Sequence, residues 1–328
     1  MNDLDSSKYQ LVEWRISIYG RKASEWDALA QWFYTHRLQH PNVRWMVQIP
    51  RLYDIYRKNG EVENFQVFLQ NIFEPLFKVT LDPQSNPALH YFLQAMSGFD
   101  SVDDESKPEL EHFSSMCNSP DQWTSIHSPP YAYWMYYMYI NICQLNQLRA
   151  MRGFYTFSFR PHCGEAGDVD HLISTFLLAH QINHGILLRK NASLQYLYYL
   201  AQIGIAMSPL SNNKLFLDYN KSPFPKYFSI GMNVSLSTDD PLMLHYTKDP
   251  LLEEYSVAAQ VWKLSPTDQC EIARNSVLQS GWENKYKLHF LGKDYSDIRE
   301  TNLPMIRVIY RQETLDTEVS FIEKYSRL

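Results

Sequence analysis

The chain is poor in cysteine, carries no excess of positive charge and has no long apolar run. Its four cysteines, Cys117, Cys143, Cys163 and Cys270, are scattered without Cys-x-x-Cys spacing. That pattern argues against a disulfide framework or a thiolate zinc site and suits free thiols in a reducing compartment. With a formal net charge of −6, the chain lacks the broad basic footprint that holds a nucleic-acid backbone. Its opening residues contain no apolar h-region of a signal peptide. The most aromatic segment, Tyr131 to Cys143, is too short and too polar to span a bilayer. The expectation is a cytosolic protein with neither a membrane nor a nucleic acid as partner.

What is present describes a globular protein. Apolar residues make up 45% and charged residues 20% of 328 positions, enough for one large α/β domain or two smaller ones. Short strand-like runs alternate with helical patterns. The strands are expected at Trp14–Tyr19, Trp45–Ile49, Gly98–Val102, Phe154–Phe159, Ile182–Leu187, Gly204–Met207 and Asn233–Ser237. Helices are expected near 24–38 behind a capping box at Ser24, then at 64–79, 86–96, 131–152, 169–180, 192–201, 250–263 and 266–280. Ser208–Asn213 reads as a polar turn, and residues 106–130 as a long connection without periodicity. Strands alternating with helices imply a parallel sheet with helical crossovers, closed as a (β/α)8 barrel or open and doubly wound. Strand number favours the barrel, which needs eight strands where seven are found. The domain reading is a polar lead over 1–12 and a single incomplete barrel over 13–328.

Ligand-type side chains gather just after three of these strands. Arg160 to Gly167, reading Arg-Pro-His-Cys-Gly-Glu-Ala-Gly, supplies His162 and Glu165. Asn183-His184-Gly185 supplies His184, and Ser235 to Pro241 supplies Asp239 and Asp240. Histidine with carboxylate and no thiolate suits zinc in a catalytic site. Other signals carry less. His180 and His184 have the spacing of a helical metal pair, but a helix is expected to end between them. Cys163 has no mark of an activated thiol, the acidic run Asp103–Glu105 reads as a solvated loop, and Tyr198 and Tyr199 read as helix core.

At these residues the chain resembles the AMP deaminase family, within the adenosine-deaminase-like metal-dependent hydrolases. The resemblance runs from about Tyr9 to Glu313. Its most specific phrases are Gly98 to Ser106, Arg160 to Gly167, Leu194 to Asn213 and Ser235 to Pro241. It implies zinc-dependent hydrolytic deamination of AMP to IMP and ammonia, in purine nucleotide metabolism and IMP salvage. It further implies that His162 and Asp239 are zinc ligands and that Glu165 is the acid that protonates purine N1. His184 is then the base, and Asp240 orients the attacking oxygen and contacts the purine, with Pro241, Leu242 and Met243 in the substrate-contacting stretch.

The departures from the family are specific. Its first barrel strand carries a His-x-His pair supplying two further zinc ligands, and no His-x-His occurs in this chain. The strand at Trp14–Tyr19 aligns with the family's second, and the Lys- and Tyr-containing phosphate-binding segment is absent. Met243 stands where Gln is usual, a Gly-rich insert is missing between Tyr295 and Asp297, and Glu300 replaces an Arg. Two readings follow. One is a fragment or truncated form of an AMP deaminase, with one incomplete zinc site and no activity on its own. The alternative is a catalytically silent paralogue or short isoform that associates with full-length subunits or with itself.

Overall fold

The computed structural model describes residues 2–7, 10–110, 118–293, 295 and 303–326. Cys117, Asp297, Glu300 and part of the 106–130 connection lie outside the described residues. The chain divides into two compact units, Met1–His162 with Leu177–His180, and Cys163–Phe176 with Gln181–Leu328.

The first unit begins with a helical turn α1 (Asn2–Ser6) and continues β1 (Val12–Ser17), α2 (Glu25–Thr35), β2 (Val43–Pro50), α3 (Tyr53–Lys58), α4 (Phe65–Leu81), α5 (Pro87–Leu93), β3 (Met96–Val102), α6 (Tyr131–Met151) and β4 (Ser158–Phe159). Its sheet is parallel, in the order β1-β2-β3-β4. Seven of the eight residues of β2 are buried, as expected for a parallel strand covered on both faces. Helix α4 buries Phe65, Phe68, Leu69, Ile72, Phe73, Leu76 and Val79, the spacing of one helical stripe. At ~1.5–3 kcal/mol for each large side chain, that stripe contributes on the order of 10–20 kcal/mol of gross burial. Asn64 caps it by accepting the N–H of Val67 at 2.9 Å.

The capping box expected at Ser24 does not form: Ser24 makes no side-chain cap bond. Instead the Glu25 carboxylate accepts the N–H groups of Tyr19, Gly20 and Arg21 at 2.6, 3.2 and 3.1 Å. Gly20, at φ +74°, makes the left-handed turn that folds the strand exit back over the helix start.

The inner face of this sheet is charged. Arg160, just after β4, grips Glu13 of β1 through two bonds of 2.7 and 2.5 Å. These strands are the opposite edges of a four-stranded sheet, so side chains can meet only if the sheet is strongly curved. Gly98 permits the close approach of β4: a Cβ there would lie 2.6 Å from Ser158 Oγ and would strike its backbone carbonyl.

The second sheet has the order β5-β6-β7-β8, formed by β5 (His162–Cys163), β6 (Gln181–His184), β7 (Gly204–Met207) and β8 (Val234–Leu236). Helices α7 (His171–Leu178), α8 (Ala192–Leu200), α9 (Pro209–Leu215), α10 (Phe224–Ser229), α11 (Pro241–Leu244), α12 (Pro250–Trp262), α13 (Pro266–Gln279), α14 (Asn284–Leu291) and α15 (Met305–Tyr325) accompany it. Registered pairs β6–β7 and β7–β8 are parallel.

All seven expected strand positions carry strand. Of the fourth, expected at Phe154–Phe159, only β4 (Ser158–Phe159) is strand, and the separate strand β5 begins after Pro161, where proline has no N–H for a ladder. The strand expected to reach Leu187 ends at His184, because His184 and Gly185 take φ of +71° and +59°. The polar turn expected at Ser208–Asn213 is instead helix α9, opened by Pro209 at its first position, where a fixed φ suits helix entry. Its buried side chains include Ser211 and Asn212, so no apolar period announces it.

Candidate functional site

His162, in the first unit, is held by a buried carboxylate that the sequence did not single out. Asp100 lies inside β3 with no side-chain exposure. Its Oδ1 accepts the backbone N–H of His162 at 3.1 Å and lies 3.0 Å from His162 Nδ1, while Oδ2 takes Arg15 Nε at 2.7 Å. Burial opposes ionisation here, but His162 and Arg15 outweigh it and hold the Asp100 carboxyl below the ordinary carboxylate range. A carboxylate on one imidazole nitrogen fixes the ring and directs the other, Nε2, away from Asp100. The available signal was an aspartate inside an otherwise buried strand, which is costly unless paired.

In the second unit, Glu165 and His184 come together after consecutive strands. Glu165 Oε1 lies 3.2 Å from His184 Nδ1, and Asn212 Nδ2 reaches the same oxygen at 3.1 Å and the same nitrogen at 3.3 Å. Histidine, carboxylate and amide form one cluster in which a proton can be held or passed. His184 is 2% and Asn212 4% exposed, so water competes weakly for these contacts. Asn212 was legible only as part of a polar run.

Asp239 and Asp240 follow β8. Asp239 is one of five described non-glycine residues at positive φ, and His184 is another. Such conformations cost of order 1–3 kcal/mol each and persist where surrounding structure enforces them. Asp240 occupies the N-cap position of α11 without a side-chain cap bond, and its carbonyl accepts the N–H groups of Met243 and Leu244. Pro241 opens α11. Leu242 and Met243 are 99% and 73% exposed, so this stretch is accessible.

The weaker signals resolve as structure. His180 Nδ1 accepts the N–H of Phe159 at 3.1 Å, which assigns it to the strand end and not to a helical metal pair. Cys163 is fully buried with its Sγ 3.2 Å from the Thr175 hydroxyl. Asp103 pairs with Arg51, which also takes Glu109 at 2.9 Å. Tyr198 is core, bonded to Thr175 and to the Leu172 carbonyl.

Imidazole and carboxylate donors, with His162 oriented by a buried carboxylate, are the donor types that suit zinc. A family model described as AMP deaminase matches residues 1–327. The AMP deaminase of Schizosaccharomyces pombe is 59% identical over 98% of this chain and 39% of its own length. That of Saccharomyces cerevisiae is 58% identical over 99% and 41%, and human AMP deaminase 3 is 57% identical over 98% and 43%. The chain therefore spans about two fifths of the length of these curated relatives. A solved amidohydrolase from Burkhoderia ambifaria with bound zinc superposes at TM-score 0.51 and 13% identity, covering 94% of this chain and 70% of that one. That likeness concerns the fold.

Proposed function

The chain belongs to the AMP deaminase family, and from that premise we propose that it is part of a zinc-dependent enzyme that hydrolyses AMP to IMP and ammonia. The observation that supports the chemistry is the contact between Glu165 and His184, with Asn212 joining both. An acid beside a base suits a reaction that adds water at one ring position and protonates another.

His162 and Asp239 are the residues we assign to zinc. When bound, the metal would lower the pKa of water toward neutrality. Glu165 gives its proton to purine N1, which drains charge from the ring as C6 becomes tetrahedral. His184 accepts the proton of the attacking water. Asp240 orients that oxygen and contacts the purine, and the exposed Pro241–Met243 stretch borders the substrate. Asn212 donates to Glu165 Oε1 and so keeps the acid aimed. The proton taken up by His184 passes to the departing amino group and the C6 hydroxyl gives its proton to Glu165, so that ammonia leaves and IMP remains.

The two parallel sheets are read as parts of one (β/α)8-type barrel, of which this chain supplies seven strand positions. Two of the family's zinc ligands come from a His-x-His pair that this chain lacks. The 328-residue chain by itself is therefore expected to be inactive and to associate with fuller copies through strand edges. Within the described residues β1 pairs only with β2, and an open edge invites pairing. We place the protein in the cytosol. The test measures zinc by elemental analysis and ammonia release from AMP, for the chain alone and with a His-x-His strand segment supplied. Well under one zinc and no ammonia are expected without the segment, and a gain in both with it. Stoichiometric zinc and deamination by the chain alone would overturn the expected inactivity, and no ammonia with the segment supplied would overturn the proposed function.

A further inference from the structure

A fully buried pair of titratable side chains lies in the second unit, outside the residues assigned above. His245 Nε2 and Glu254 Oε1 are 2.9 Å apart, and neither side chain is exposed. Glu254 projects from α12, and its other oxygen, Oε2, accepts the N–H of Leu210 at 3.3 Å. Leu210 is in the first turn of α9, the helix that carries Asn212. His245 directly follows α11, and its N–H donates to the Pro241 carbonyl at 3.3 Å. One carboxylate thus touches two segments. One places Asn212 against Glu165 and His184, and the other leads back to Asp239 and Asp240.

We propose that Glu254 is a positioning residue of the deamination site, acting on Asn212 through Leu210 and on the Asp239–Asp240 segment through His245. The inference rests on the function proposed above only in naming that site. A buried side chain with two polar partners on different segments fixes both, because releasing either leaves a buried group unsatisfied. His245 Nδ1 is buried with no hydrogen-bond partner among the described residues, so Glu254 is the side-chain contact that holds the ring. Burial raises Glu254 to about 8, with Asp239 and Glu253 adding to the effect, and lowers His245.

This arrangement makes the conservative variant informative. Glu254→Gln keeps the shape, with an N–H to donate to His245 and an oxygen to accept from Leu210. Glu254→Leu fills the space but makes neither bond. His245→Leu removes one arm only. The experiment uses the full chain with labelled asparagine, aspartate and histidine. It follows the Asn212 side-chain amide, the His184 ring and the Asp240 backbone amide by nuclear magnetic resonance, alongside the thermal midpoint.

Glu254→Gln should keep all three signals. A folded Glu254→Leu should shift or lose those of Asn212 and His184, and His245→Leu should move Asp240 while leaving Asn212 in place. A folded Glu254→Leu with unmoved Asn212 and His184 overturns the proposal, as does Glu254→Gln matching Glu254→Leu. If Glu254→Leu does not fold, the other two variants decide: an Asp240 signal unmoved in His245→Leu overturns it. These signals need no turnover, so a protein that never deaminates AMP would sink the proposed function and leave this inference standing.

Discussion

Asp100 offers the most direct test of how the first unit is held together. It is a fully buried carboxylate with Arg15 Nε at 2.7 Å and two contacts to His162 at 3.0 and 3.1 Å. Asp100→Asn keeps the volume and one acceptor but removes the charge and turns an N–H toward Arg15 or His162. Removing one partner of a buried ion pair typically costs ~3–5 kcal/mol. Because Arg15 is about a quarter exposed and recovers some hydration, the loss should sit near the lower end, about 3 kcal/mol. For a unit of this size that lowers the melting midpoint by about 6–12 °C. Six of the eight tryptophans lie in the first unit, so intrinsic fluorescence follows its unfolding. The pH dependence has a definite sign. The Asp100 pKa is lowered on folding, so its stabilisation is present above the unfolded carboxylate value, about 4, and is lost as pH falls through the lower native value. The gap between the parent chain and Asp100→Asn should be full at pH 7 and should shrink below about pH 4. Equal midpoints at pH 7, or a gap unchanged on acidification, would refute the reasoning.

Two further predictions concern local geometry. Gly98→Ala sets a methyl against Ser158, whose Oγ is 2.6 Å from the ideal Cβ position. β3 and β4 must then part, at about 1–3 kcal/mol, read as a lower thermal midpoint by fluorescence; an unchanged midpoint would mean that the strands are not so closely apposed. Ser265 and Asp268 form a reciprocal capping box at the start of α13, with bonds of 2.7 and 3.2 Å. Ser265→Ala should cost about 1 kcal/mol in urea unfolding, while Ser265→Asp, another capping residue, should cost less.

The residues legible in the sequence share a position. His162, Glu165, His184, Asp239 and Asp240 all stand just beyond short apolar runs, where a strand ends and ligand-type side chains are conspicuous. Asp100 escaped because it lies within its strand, and the Arg15 that neutralises it is 85 residues away. Asn212 escaped because α9 buries serine and asparagine, so its polar sequence resembled a turn. The capping box at Ser24 failed for a related reason: local spacing allowed it, but the turn at Gly20 brought three backbone N–H groups to Glu25 instead.

By itself the sequence determined the alternation of strands and helices, the presence of strand within each of the seven expected stretches, and the family. Each of these is written in short-range pattern or in long matching phrases. Only the tertiary structure decided which polar groups meet: Glu13 with Arg160, Asp100 with Arg15 and His162, and Glu254 with His245 and the backbone N–H of Leu210. The physical reason is reach. Periodicity and capping act over a few residues, whereas a buried charge takes whichever partner strand register and sheet curvature bring within 3 Å or so.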